Sequence, residues 1–261
     1  MAFAPSSLIL ANNFFPLSKA LCANGACMNI IIKLSALVLF IFIALWQVSK
    51  NEKFQFVGNL IDRVETTEKV VALTFDDGPT KYKTKEILKV LDEAEIKATF
   101  YLVGKSIEEN IQETKNIIDE GHEIGNHSYT HQRMVLKSYS FVAEELEKTN
   151  ELITQAGYRD EIRFRPPYGK KLFSLPYYLN DKNITTVTWD VEPETYLDKN
   201  ASASDISEYV IQNTKPGSII LLHVMFKSRD NSLAAVPLIV QQLRDKGYRF
   251  VTVSELIGSS A

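Results

Sequence analysis

Val70-Val71-Ala72-Leu73-Thr74-Phe75-Asp76-Asp77-Gly78-Pro79 is the stretch that decides the fold. Its first six residues, rich in β-branched and apolar side chains, read as a buried strand, and the Asp-Asp-Gly-Pro that stops them consists of turn formers. The pattern then repeats. Residues 84–94 follow helical spacing with Ile87, Leu88 and Leu91 on one face. Residues 98–103 form the next strand, and 107–120 read as one helix closed by Gly121 in a left-handed cap. A short strand at 123–125 leads into Asn126-His127, and 138–156 is a long amphipathic helix ended by Gly157. Strands at 163–165, 185–189, 218–222 and 249–253, with helices at 205–213 and 236–245, complete the series. Strands alternating with helices give parallel βαβ units. About seven strands predict an α/β fold, a distorted or incomplete (β/α) barrel, with its polar clusters on the rim at the strand C-termini.

The 261 residues are ample for one core, and 45% hydrophobic with 23% charged residues exclude wholesale disorder. The formal charge is −3, unevenly spread: residues 1–51 hold Lys19, Lys33 and Lys50 and no acid. The rest carries 26 of the 29 bases against all 32 acids, a net of −6. An acidic body repels phosphates, so nucleic acid is not an expected partner. Cys22 and Cys27 are the only cysteines, so the body has neither a disulfide framework nor a thiolate zinc site.

Residues 30–48 are the most apolar run and approach the roughly 20 residues that span a bilayer, with Lys33 placed to snorkel. No good small-x-small cleavage site follows, which favours an uncleaved transmembrane or signal-anchor helix over a cleaved signal. The expected organisation is a non-periodic tail at 1–29 (with Met28 as an alternative start), the apolar segment at 30–48, a polar tether at 49–64 and a catalytic domain at 65–257. The expected location is the cell membrane, with the body facing the periplasm or exterior, or secretion if the segment is cleaved.

Four clusters can carry chemistry. Asp76 and Asp77 are adjacent and point different ways, so one can bind a cation while the other takes a proton. Alone, such a tetrapeptide is more often a solvated turn. His127 and His131 are spaced i, i+4, which on a helix or single helical turn aims both imidazoles at one cation, with Asp77 as the natural third ligand. His122 reads as a locally packed residue. His223 ends an apolar strand, and Arg165-Pro166-Pro167-Tyr168-Gly169 supplies a cation and a stiff turn whose N–H groups can face an oxyanion.

In this order, Thr74-Phe75-Asp76-Asp77-Gly78-Pro79, His127-Ser128-Tyr129-Thr130-His131, Arg165-Pro166-Pro167-Tyr168-Gly169 and Leu221-Leu222-His223 resemble the polysaccharide deacetylase family, the NodB homology domain of carbohydrate esterase family four, over about residues 65–257. The resemblance implies metal-dependent hydrolysis of an acetyl group on a glycan, most simply an N-acetyl group on an envelope or extracellular polysaccharide. Asp77, His127 and His131 would hold the metal: zinc, with cobalt, nickel or manganese as alternatives. Asp76 would be the general base, Arg165 its partner and His223 the general acid. The Tyr168 N–H would bind the oxyanion, and Leu222 would line the acetyl pocket. The partners implied are the acetylated glycan and, through residues 30–48, the membrane.

One motif departs from the family pattern of an Asp, two residues, then Asp-Trp. Glu192 stands for the first Asp, Thr195 for the second and Tyr196 for the Trp. The second Asp orients the general acid in the family, which leaves Glu192, Glu194 or Asp190 as candidates to support His223. Two other readings keep the same residues: an esterase for O-acetyl groups or other amides, and a glycan-binding protein with a degraded site.

Overall fold

The computed structural model describes residues 26–259, and residues 1–25, most of the expected tail, lie outside the described residues. The chain divides into two units, Met1–Gln47 and Val48–Ala261. Helix α1 (Ala26–Ser49) starts within the expected tail, so residues 26–29 are helical. Its stretch Met28–Ser49 has a mean hydropathy of 2.5 and is long and apolar enough to cross a membrane.

The second unit is built on β1 (Leu60–Ile61), β2 (Val70–Asp76), β3 (Thr99–Leu102), β4 (Glu123–Asn126), β5 (Thr186–Val187), β6 (Ile219–His223) and β7 (Arg249–Val251). Every strand pairing is parallel. Strands run in the order β4-β3-β2-β6, with β7 against the first half of β2 and β1 against β5. Phe164 bridges Asn126 of β4 to Thr186 of β5, and Val191 bridges to Ile220 of β6, which closes the circuit. The result is the distorted seven-stranded barrel the alternation predicts.

Strand alternation divides the core. Val71, Leu73 and Phe75 of β2 pack outward against Ile87 and Leu91 of α2 (Lys83–Glu93) and Ile239 of α8 (Asp230–Asp245). Val70 and Ala72 face the barrel interior with Tyr101, Val187, Ile219 and Leu221. Full burial of each large apolar side chain is worth about 1.5–3 kcal/mol, so the register of β2 is strongly fixed.

Five expectations need correction. The helix expected at 107–120 breaks at Asn110 into α3 (Gly104–Glu109) and α4 (Ile111–Asp119). There the Asn110 side chain donates to the Ser106 and Pro79 carbonyls, competing with the helical ladder. The strand expected at 163–165 reduces to single bridges at Phe164, because Pro166 and Pro167 cannot donate to a ladder. Helix α6 (Ser174–Asp181) was not expected, since Pro176 and its aromatic run obscure the helical period. The stretch 49–64 is no free tether. Ser49 is fully buried, its carbonyl accepts the Lys171 N–H at 2.9 Å, and β1 joins the sheet. The remaining helices are α5 (Tyr139–Gln155), α7 (Ala203–Asn213) and α9 (Val253–Gly258), the last where the final strand was expected to continue.

Candidate active site

Period two along β2 puts Thr74 and Asp76 on the interior face with Val70 and Ala72. Asp76 ends the strand 2% exposed, in register with His223 on β6 and Tyr101 on β3. Asp77 follows with φ 72°, a left-handed conformation that turns its carboxylate away from its neighbour's direction.

His127 and His131 meet, but not on a helix: residues 127–131 form a loop after β4. Ser128 (φ 64°) and His131 (φ 56°) reverse the chain and bring the two rings to 4.9 Å. Local hydrogen bonds hold this backbone. The Asn126 side chain accepts the Ser128 N–H at 2.7 Å, and the Ser128 hydroxyl accepts the His131 N–H at 3.1 Å. Buried Glu145 of α5 accepts both the N–H and the hydroxyl of Thr130, at 2.8 and 2.7 Å. Short polar residues between the histidines were the only sequence signal for this turn.

One ligand atom each from Asp77, His127 and His131 lies within 4.8 Å of the others, with Asp77 and His131 at 3.2 Å. His127 donates Nδ1–H to the Arg165 carbonyl at 2.8 Å, which in the neutral ring leaves the Nε2 lone pair for a cation. Burial, then the neighbouring His127, push His131 down to about 4, so its imidazole is neutral. Two imidazoles and a carboxylate, with room for a further ligand, fit a catalytic divalent metal.

Arg165 is fully buried and each of its nitrogens donates, Nε to the Val187 carbonyl at 3.4 Å. It donates to Asp76 at 2.7 Å, to the Thr74 hydroxyl at 2.8 Å and to the Thr188 carbonyl at 3.0 Å, while its guanidinium lies 3.9 Å over the Tyr101 ring. Burial works to raise the Asp76 pKa, but Arg165, with His127 and His223, outweighs it and holds the carboxyl below its ordinary value.

Of the three acids that could support His223, the structure selects Glu194. Its carboxylate accepts the His223 ring Nδ1–H and, at 3.1 Å, the His223 backbone N–H. Ser232 donates to the same carboxylate at 2.8 Å, and Arg229 lies 3.7 Å away. Burial opposes a charged imidazole, yet the Glu194 hydrogen bond and charge, with Asp76 and Asp77, raise His223 to about 9. Thr195 instead donates to Glu192, and Asp190 caps the start of β6 through Ser218 and the Ile219 N–H. Glu192, Glu194 and His223 also lie within 4.8 Å of one another, but with its pKa raised to about 9 the His223 ring carries a proton on each nitrogen and offers no lone pair to a cation.

These groups line a cavity of about 670 Å³ with Trp189, Leu221 and Tyr168. Leu222 is not among them: it lies in the outer core. His223 and Leu221 share the inner face of β6, so the intervening Leu222 must face the helices. Tyr168 is half-exposed with φ 59°, its ring 4.8 Å from that of His131. Its turn is closed by the N–H groups of Gly169 and Lys170, which leaves the Tyr168 N–H out of those bonds.

A family model for polysaccharide deacetylase matches residues 63–187. A peptidoglycan-N-acetylglucosamine deacetylase of Bacillus cereus is 37% identical over 192 residues, covering 73% of this chain and 69% of that one. A solved peptidoglycan N-acetylglucosamine deacetylase superposes with a TM-score of 0.71 at 34% identity, over 76% of this chain and 92% of that one. A carbohydrate esterase family four pseudoenzyme from Bacillus anthracis superposes at 0.69 with 29% identity, over 77% of this chain and 69% of that one. Likeness of fold thus leaves activity to the side chains in the cavity. With its barrel, its ordered motifs and these relatives, the chain belongs to the polysaccharide deacetylase family, hydrolases of non-peptide carbon–nitrogen bonds.

Proposed function

We propose that this enzyme removes N-acetyl groups from an envelope glycan of the peptidoglycan class, with a divalent metal, zinc in this reading, held by Asp77, His127 and His131. The observation that carries it is the joining of that triad to a buried Arg165–Asp76 pair on one side and a Glu194–His223 pair on the other. When bound, the metal supplies Lewis-acid polarisation of the acetyl carbonyl and lowers the pKa of water.

The chain's own groups divide the proton transfers. Asp76, kept ionised by Arg165, takes a proton from the attacking water, whose oxygen bonds to the acetyl carbon. The Tyr168 N–H donates to the developing oxyanion. His223, kept protonated by Glu194, delivers its proton to the sugar nitrogen as the carbon–nitrogen bond breaks, so an amine and acetate leave. Leu221 and Trp189 bound the space for the acetyl methyl in place of Leu222.

Residues 30–48 anchor the protein in the cell membrane and the body faces outward, a reading supported by the hydropathy of α1 and by the wall-directed names of the relatives. The test is to treat peptidoglycan fragments with the full-length protein and count new free amino groups on the sugars. Free amines matching the acetate released support N-deacetylation. Acetate without new amines points to O-acetyl esters.

A further inference from the structure

Beyond the cavity, the body carries an exposed aromatic face. Phe56, Val57, Tyr139, Phe173 and Tyr177 surround a shallow groove of about 550 Å³, with Phe173 50% and Tyr177 59% exposed and Phe54 beside it. Phe56 stacks on Phe173 at 5.2 Å, and Phe54 meets Phe56 edge-on at 5.5 Å. Monomeric proteins rarely leave such a patch to water.

The chain path names its occupant. The polypeptide leaves the body for the apolar helix at Ser49, which the Lys171 N–H fixes at 2.9 Å. The next residues have no slack: Lys171 Nζ donates to the Asn51 carbonyl at 2.6 Å and Thr188 to that of Glu52 at 2.6 Å. Phe173 is two residues from Lys171, about 7 Å of chain, and Phe54 five residues from Ser49, about 17 Å at full stretch. An apolar anchor therefore delivers the aromatic face to within a headgroup layer's reach. Charges of both signs border the face. Lys50 and Lys53 are exposed, Lys53 lying 3.9 Å from Asp62, and Lys50 and Arg133 lie close enough to repel the Lys170 amine, while Tyr139 donates to Asp181 at 2.9 Å. The cations at the chain exit suit lipid phosphate. Glu52 also lines the catalytic cavity, so the cavity mouth lies near the same exit point.

We propose that this aromatic face rests in the headgroup layer of the membrane holding residues 30–48, so that the catalytic cavity works on acetylated glycan presented at the bilayer surface. The proposal rests on the readings of that segment as an anchor and of the cavity as a deacetylase site. A mixed Phe and Tyr face, with lysines at the chain exit, matches an interface that is apolar on one side and wet on the other.

The test uses the full chain with Cys22→Ser and Cys27→Ser, reconstituted in phosphatidylcholine–phosphatidylglycerol vesicles. An environment-sensitive fluorophore is placed in turn at Tyr177→Cys, at Lys115→Cys on exposed α4 and at Val38→Cys in α1. The proposal expects quenching by shallow nitroxide lipids at position 177, none at 115, and quenching by deep nitroxide lipids at 38. A label at 177 as wet as that at 115 overturns docking while leaving the anchor standing, and an unquenched label at 38 overturns both. Protection at 177 that fades as protein is diluted in lipid assigns the face to a second copy and overturns the proposal. So does protection by soluble glycan without vesicles. In parallel, Phe56→Ser with Tyr177→Ser should slow acetate release from a vesicle-tethered oligosaccharide about tenfold and leave a soluble one unaffected. An equal rate on tethered substrate contradicts the proposal, and no acetate from either substrate with wild type fails the deacetylase reading, with docking still read by the labels.

Discussion

Glu194 holds His223 at two points, accepting its ring Nδ1–H and its backbone N–H. The second contact ties the carboxylate to the strand, so ring orientation and proton affinity are set together. Glu194→Gln keeps a similar shape but loses the charge. We expect kcat/KM to fall roughly 10- to 100-fold. The proposed mechanism uses His223 in its protonated form, with a pKa raised to about 9, so wild-type activity should persist below that value and fall as pH rises through it. In the variant that alkaline limb should move to lower pH. An unmoved limb, with only a uniform loss of rate, would show that Glu194 merely packs there.

Leu221 and Leu222 face opposite ways on β6, one into the cavity and one into the outer core. Leu222→Ala should therefore lower stability by about 2–5 kcal/mol and leave the preference among acyl groups unchanged. Leu221→Ala should enlarge the acyl space, so that propionyl substrates gain on acetyl ones. Relative kcat/KM for the two acyl groups, with a denaturant midpoint for each variant, decides the matter. Reversed phenotypes would contradict the register.

Glu145 reaches from α5 to fix the Thr130 backbone between the two histidines. Glu145→Gln retains one acceptor and loses the charge-assisted pair. Zinc affinity, measured by competition with a chromogenic chelator, should weaken about 10- to 100-fold with the circular dichroism spectrum unchanged. Full retention of affinity would mean that the loop holds its shape without α5.

His122 is buried, its Nδ1 accepts the Ala98 N–H at 3.2 Å, and its Nε2 has no partner among the described residues. Burial first, then Lys97, lowers its pKa to about 4. Protonation thus favours the unfolded chain. The stability contributed is complete above the unfolded value of about 6.5 and is lost as pH falls from there to about 4, a change of order 3 kcal/mol. His122→Gln, which can still accept from Ala98, should flatten that part of the curve when midpoints are compared from pH 7.5 to 5. A slope equal to wild type would place the acid sensitivity elsewhere.

Much of this was legible in the sequence because strand burial and turn chemistry are local. β2 and its Asp-Asp-Gly-Pro stop, the α5 period and the apolar run of β6 all announced themselves. What escaped depended on partners distant in the chain. The two histidines converge through left-handed residues at 128 and 131 and a carboxylate from α5, which spacing alone imitates as a helical turn. The support for His223 came from 29 residues away, where three acids were equally available in the sequence. The family resemblance implies Leu222 in the cavity, although the period of β6, anchored on His223, points to Leu221.

The central claim is that one metal-holding triad, flanked by Asp76 and His223, hydrolyses the acetamide. The most direct measurement is acetate release from N-acetylated peptidoglycan fragments by the full-length protein, before and after chelation, after zinc is restored, and in His127→Ala. Chelation should abolish release and zinc restore it, and zinc should fail to restore it in the variant. Release that survives chelation, or that persists in His127→Ala, would contradict the claim.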